Sequence, residues 1–108
     1  MKYDDKYQEK DERMGYFVNN SPLASSVLNS IGSNMKDKAL TLKEKEFIML
    51  GIGIAIRCPD CILTHAKNCK DVGATEEEII EVAESAVAMG GGPSIAFGSL
   101  AVDIFKNL

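Results

Sequence analysis

The sequence has no cluster of basic residues, no apolar run longer than ten residues and only three cysteines in 108 positions. Each shortage removes a class of function. Lys and Arg number 12 against 16 Asp and Glu, a formal charge of −4, and no basic stripe appears. Phosphate-backbone partners are held by clustered Lys and Arg, so no nucleic-acid partner is expected. The longest apolar run, Phe47 to Ile56, is half of the roughly 20 residues that a membrane-spanning helix needs, so no membrane partner is expected either. The first twenty residues lack the apolar stretch of a secretory signal. An odd number of cysteines makes a poor disulfide framework. A reducing cytoplasm is therefore the expected setting, and a thiol here is chemical before it is structural.

What remains is an ordinary globular composition, 45% hydrophobic and 26% charged, on a chain long enough for one domain with a thin core. Residues 1–14 alternate charge signs and read as a solvated, helix-competent arm, with a single domain over 15–108. Ser21-Pro22 is a helix start, because the serine oxygen accepts an orphan amide and proline suits the first helical position. Leu23, Val27, Leu28 and Ile31 follow at helical spacing, with Gly32 as the expected stop. Thr41-Leu42-Lys43-Glu44 and Thr75-Glu76-Glu77-Glu78 are capping boxes that open two further helices. Between them, Cys58-Pro59 repeats the start pattern and Gly73 is a natural stop. Residues 51–56 (GIGIAI) are ambiguous, since their alternation and isoleucine content suit a strand. As a helix, that stretch must be well packed, because each glycine costs an exposed helix about 1 kcal/mol. Ser94 to Phe105 resumes after a glycine-rich break, and the whole reads as mostly or entirely α.

The chemistry concentrates at Cys58-Pro59-Asp60-Cys61, with the only histidine at position 65. A helix starting at Pro59 places Cys58 at its amino end, and Cys61 and His65 one turn apart on a shared face. A helix amino terminus favours an anion and lowers a thiol pKa. A thiol of pKa ~8.5 is ~3% thiolate at pH 7, whereas one of pKa ~6.5 is roughly three-quarters thiolate, a gain worth ~2 kcal/mol. Asp60 opposes this gain if its carboxylate lies near the sulfur, and its direction is not written in the sequence. Two cysteines across a helix start can also close a disulfide with little backbone movement.

Two other uses of these residues are weaker. A zinc site from Cys58, Cys61, His65 and Cys69 would need ligands within ~2.3 Å of one ion. Along a helix, residues 58 and 69 are separated by roughly 16 Å of rise. A thioredoxin-type fold would need further strands and a proline facing the dithiol, and no period-2 segment follows Gly73. By position alone, Glu46 is a solvated, dipole-matched residue. Cys69 reads as a packed thiol, and Met35, Met49 and Met89 read as core filler. The run Gly90-Gly91-Gly92-Pro93-Ser94 matches neither phosphate-loop spacing, so it is expected as a tight turn near the site or an oligomer contact.

The string from Thr41 to Phe105 resembles the carboxymuconolactone decarboxylase superfamily, specifically its AhpD-like, alkylhydroperoxidase branch. The matching features are Lys43-x-x-Glu46, the apolar helix, Arg57-Cys58-Pro59-Asp60-Cys61-x3-His65, Gly73 to Ile79, and Met89 to Pro93. The resemblance implies an all-α, AhpD-like helical bundle and turns residues 47–56 into helix. It implies a catalytic set on Glu46, Cys58, Cys61 and His65, with Cys58 and Cys61 as the redox disulfide. Cys61 would attack a small-molecule peroxide or disulfide, Cys58 would resolve the product, and Glu46 would relay protons with His65. A lipoyl or thioredoxin-like donor would re-reduce the disulfide, with no cofactor and no metal. AhpD proteins carry a second histidine just before the attacking cysteine, where this chain has Asp60. General disulfide reduction or exchange therefore stays open beside peroxide reduction.

The thin core and the apolar surfaces of the glycine-bearing helix and of the helix after Pro93 suggest surface buried between subunits. The resemblance implies homo-oligomeric rings, hexamer ahead of trimer. Two alternatives stand beside the oxidoreductase reading. One is a non-catalytic helical assembly module whose dithiol senses redox state. The other is lactone or decarboxylation chemistry of the carboxymuconolactone type.

Overall fold

Each helix starts where a cap can satisfy its first amides. The computed structural model describes residues 2–108, so Met1 lies outside the described residues. It contains α1 (Asp4–Asn19), α2 (Pro22–Asn34), α3 (Leu42–Ala55), α4 (Pro59–Asp71), α5 (Glu76–Gly90) and α6 (Gly92–Lys106). No strand occurs among the described residues, which removes the thioredoxin-type alternative. Ser21 caps α2 through its hydroxyl and the Ala24 amide at 3.1 Å. Thr41 with Glu44 and Thr75 with Glu78 form complete capping boxes at α3 and α5. Such caps contribute about 1 kcal/mol each and fix where the chain turns into the helix.

Helices α3 to α6 form the bundle, with α5 against α6 and α3, and α4 against α3 and α6. Its centre is Leu50, Ile54, Ile62, Ile79 and Ile104, all essentially inaccessible to solvent. Residues 51–55, strand-like by alternation, are helical because Gly53 and Ile54 pack inside this core. Burial overrides propensity here, as the glycines required. Glu46 shares the buried stripe with Leu50, Gly53 and Ile54, which follows from spacings of four, three and one along one helix face.

The α1–α2 hairpin stands outside the bundle. Among helix pairs, α2 packs only on α1, and α1 reaches the bundle through α4. Helix α2 runs past Gly32 to Asn34 and contains no buried residue, so Leu23, Val27, Leu28 and Ile31 are all exposed. The sequence boundary at residue 14 falls inside α1, a single helix whose side chains are mostly exposed but which buries Lys10, just after the buried Tyr3. The Tyr3 hydroxyl donates to Asp103 of α6, fastening the start of the chain.

Candidate functional site: a dithiol at the start of α4

The turn between α3 and α4 sets the site. Helix α3 ends in a pair of backbone bonds, Cys58 N–H to the Gly53 carbonyl at 3.0 Å and Arg57 N–H to the Ile54 carbonyl at 3.1 Å. This is the Schellman arrangement, which requires a left-handed residue just past the helix. Arg57 fills that place at φ 60°, the one non-glycine residue with positive φ among those described. The next residue, Cys58, becomes the N-cap of α4, with Pro59 at the first helical position. Its sulfur accepts the Cys61 amide at 3.2 Å.

Cys58 and Cys61 are disulfide-bonded, with Cα atoms 5.2 Å apart. The approach of α3 to this bond depends on a missing side chain. A Cβ on Gly53 would lie 3.2 Å from the Cys61 Cβ, tighter than ordinary packing. The glycine that weakens α3 as an isolated helix is thus what lets the dithiol seat against it.

One turn further along α4, His65 Nδ1 lies 2.7 Å from Glu46 Oε1. Glu46 is 3% exposed, so its carboxylate is held by the fold. A carboxylate only accepts, so Nδ1–H donates, and Nε2 is left as the nitrogen that can take or give a proton. Cys58, Cys61, His65 and Glu46 all line one cavity of about 560 Å³. Thr64 and Asn68 continue the α4 wall, and Met14, Leu28, Ile31, Met35 and Met49 supply an apolar wall from the other helices. An electrophile in this cavity would meet a sulfur and an imidazole together. The thiol redox chemistry that a disulfide allows therefore has a bounded, largely apolar chamber around it.

Asp60 also lines the cavity and is bound by α1. Arg13 donates from Nη1 and Nη2 to its two carboxylate oxygens at 3.0 and 3.1 Å, a forked pair. The Asp60 carboxylate in turn raises the Arg13 pKa above its ordinary value. Lys10, nearly buried, donates to Thr64 at 2.7 Å and pairs with Asp11 at 2.8 Å.

Glu46, Cys58, Cys61 and His65, expected together, are brought together. Cys69 is separate: it is fully buried among core residues, and its thiol is pushed up to about 12 by burial first, then by the charges of Glu46 and Glu78. Among the described residues no three His, Cys, Asp or Glu side chains are grouped to hold a metal. One expectation needs correction: Met89 is 88% exposed rather than core, while Met35, just past α2, and Met49 of α3 line the cavity. The glycine-rich run makes the tight α5–α6 turn, as expected, and is not part of the cavity wall. Sequence reasoning missed Arg13, Lys10 and Thr64. The charged pattern around residues 10–13 carried no signal that separates a tied cation from a solvated one.

The fold has counterparts. Residues 23–103 match the carboxymuconolactone decarboxylase family. The chain belongs to that family. Within it, a family protein from Legionella pneumophila has a solved structure of TM-score 0.84 at 31% identity, covering 95% of this chain and 96% of that one. A family protein from Thermotoga maritima reaches TM-score 0.84 at 27% identity, over 94% of this chain and 88% of that one. An uncharacterized protein of Cupriavidus necator is 29% identical over 101 residues, 93% of this chain and 89% of its own length. Uncharacterized protein 4 in the cox locus of Paracoccus denitrificans is 31% identical over 72 residues, 67% of this chain and 65% of its own. The all-α bundle is thus the carboxymuconolactone decarboxylase family fold, and this member carries a closed Cys58–Cys61 disulfide within it.

Proposed function

We propose that the protein is a thiol-dependent oxidoreductase of the AhpD-like branch, reducing hydroperoxides or disulfides through a Cys58–Cys61 cycle. One observation carries the reading: the disulfide opens on a cavity that also holds His65, itself gripped by a buried Glu46. A role in an antioxidative response has been suggested for the Thermotoga maritima relative, which agrees with it.

The cycle starts from the reduced pair. His65 takes the Cys61 proton, and the thiolate attacks the outer peroxide oxygen, breaking the O–O bond. Cys61 becomes a sulfenic acid, and the departing alkoxide takes the proton back to leave as an alcohol. The Cys58 thiol then attacks the Cys61 sulfur, closing the disulfide and releasing water. A lipoyl or thioredoxin-like dithiol reduces this bond by exchange and becomes a disulfide itself, so each turnover moves two electrons from donor to peroxide. Cys61 is the nucleophile in this scheme because it lies one turn before His65 on the same face of α4, in the cavity that both line.

Self-association accompanies this reading, as a hexameric or trimeric ring. Exposed Ile48, Ile52, Ile56 and Met89 on one side, and Ile80 and Ile95 on another, give it apolar surface. No helix of the described residues is long and apolar enough to cross a membrane.

The test is direct. Cys61→Ser abolishes peroxide consumption with a dithiol donor, and Cys58→Ser leaves a sulfenic acid on Cys61 that dimedone traps. Undiminished turnover by Cys61→Ser overturns the assignment.

A further inference from the structure

Two polar ties join α1 to α4, and both land on the wall of the dithiol cavity. Lys10 holds Thr64 at 2.7 Å, and Arg13 grips Asp60 with two bonds at 3.0 and 3.1 Å. Asp60 is bonded in sequence to Cys61 and lines the same cavity. Its carboxylate would raise the energy of a Cys61 thiolate. The cation that pairs with it, Arg13, comes from the hairpin and not from the bundle.

We propose that Arg13 is a positioning residue that sets the thiolate level of Cys61 by neutralising Asp60. Docking of the α1–α2 hairpin is thereby coupled to reactivity. The charged groups around the sulfur make the argument. Helix α4 supplies Asp60 and His65, and α3 supplies Glu46 behind the imidazole. From α1 come Arg13, paired to Asp60, and Lys10, held between Thr64 and Asp11. Glu46 is engaged by His65 and Lys10 by its own partners, so the charge left to Arg13 alone is that of Asp60. The same α1 contributes Met14 to the cavity, and α2 adds Leu28 and Ile31. An undocked hairpin would both open the apolar wall and restore a negative charge beside the sulfur.

The Arg13–Asp60 pair is partly solvent-exposed, at 63% and 38% of the side chains, so its effect is moderate. A shift of about half a pKa unit, or about threefold in thiolate at neutral pH, is expected.

The inference rests on Cys61 being the attacking thiol, but its test needs no turnover. The full-length protein is reduced and alkylated with iodoacetamide across pH, with each cysteine followed by peptide mass spectrometry. Arg13→Ala slows Cys61 alkylation at pH 7 about threefold, Asp60→Asn speeds it, and Arg13→Lys retains most of the wild-type rate. The decisive sample is the double variant: in an Asp60→Asn background Arg13→Ala has a clearly smaller effect than in the parent, because no carboxylate is left to hold the guanidinium at the start of α4. In 0.5 M salt the single Arg13→Ala effect shrinks. An unchanged Cys61 profile in Arg13→Ala, or an equal loss in the double variant, overturns the proposal. A peroxidase that fails to turn over while these alkylation shifts appear would instead overturn the proposed reaction and leave the Arg13 assignment standing.

Discussion

Helix α4 has a cysteine near each end, and the two ends share a backbone frame while their sulfurs differ. Before α4, Cys58 N–H bonds the Gly53 carbonyl at 3.0 Å and Arg57 N–H the Ile54 carbonyl at 3.1 Å. After it, Ala74 N–H bonds the Cys69 carbonyl at 3.0 Å and Gly73 N–H the Lys70 carbonyl at 3.1 Å. Both are Schellman turns. Cys61, at the amino end, faces a cavity that it shares with His65. Cys69, two turns later, is sealed in the core with its thiol raised to about 12. The same element makes one sulfur available for chemistry and the other a small apolar filler, and the surroundings alone make the difference.

The largest effect should be the gap in reactivity between these sulfurs. In the reduced protein at pH 7, Cys69 should alkylate at least about a thousandfold more slowly than Cys61, from thiolate fractions alone. Comparable labelling of both would break the contrast. The raised Cys69 value also has a stability consequence. From pH 9 upward the unfolded chain loses this proton while the folded chain keeps it until about 12, so the unfolded state is favoured as pH rises through that window. A Cys69→Ala variant loses some packing at neutral pH. Its chemical-denaturation stability should nonetheless fall less between pH 9 and 11 than that of the parent.

Glu46 connects the two ends, which gives the next prediction. It accepts from His65 at 2.7 Å and is the second cause of the raised Cys69 thiol. Glu46→Gln keeps the shape and removes the charge. Peroxide turnover should fall about 10- to 100-fold, because the imidazole loses the carboxylate that orients it. The same substitution should move the Cys69 thiol downward, the opposite sense to its effect on catalysis. Paired turnover and alkylation profiles read both signs, and a change at one end only would separate them.

Much of this frame was legible from residues. Ser21-Pro22, Thr41 with Glu44, Cys58-Pro59 and Thr75 with Glu78 each mark a helix start through local hydrogen bonding, which needs no tertiary context. The dithiol and His65 were legible by spacing, and Glu46 only by resemblance, since nothing local distinguishes a buried glutamate from a solvated one. The apolar wall of the cavity was not legible. Leu28 and Ile31 have helical spacing, but periodicity names a face without naming what it faces. In α2 that face meets a cavity and solvent rather than a core. Arg13 was hidden for a related reason: its partner lies 47 residues away.

The smallest effect concerns the turn itself. Arg57 occupies at φ 60° the place that Gly73 occupies at φ 84°, and only the first turn precedes a reactive cysteine. A left-handed non-glycine residue costs about 1–2 kcal/mol, whereas a glycine adds about 0.4–1 kcal/mol of unfolded-state entropy. Relief outweighs that entropy, so Arg57→Gly should stabilise the reduced protein by about 0.5 kcal/mol, measured as a shift in the urea midpoint. Gly73→Arg should destabilise by a similar amount, about 0.5 kcal/mol, at the opposite end, because the strain it brings outweighs the unfolded-state entropy it removes. If Arg57→Gly is instead destabilising, the arginine side chain contributes a contact that outweighs its backbone strain. The two turns would then differ by more than their residues at the left-handed position.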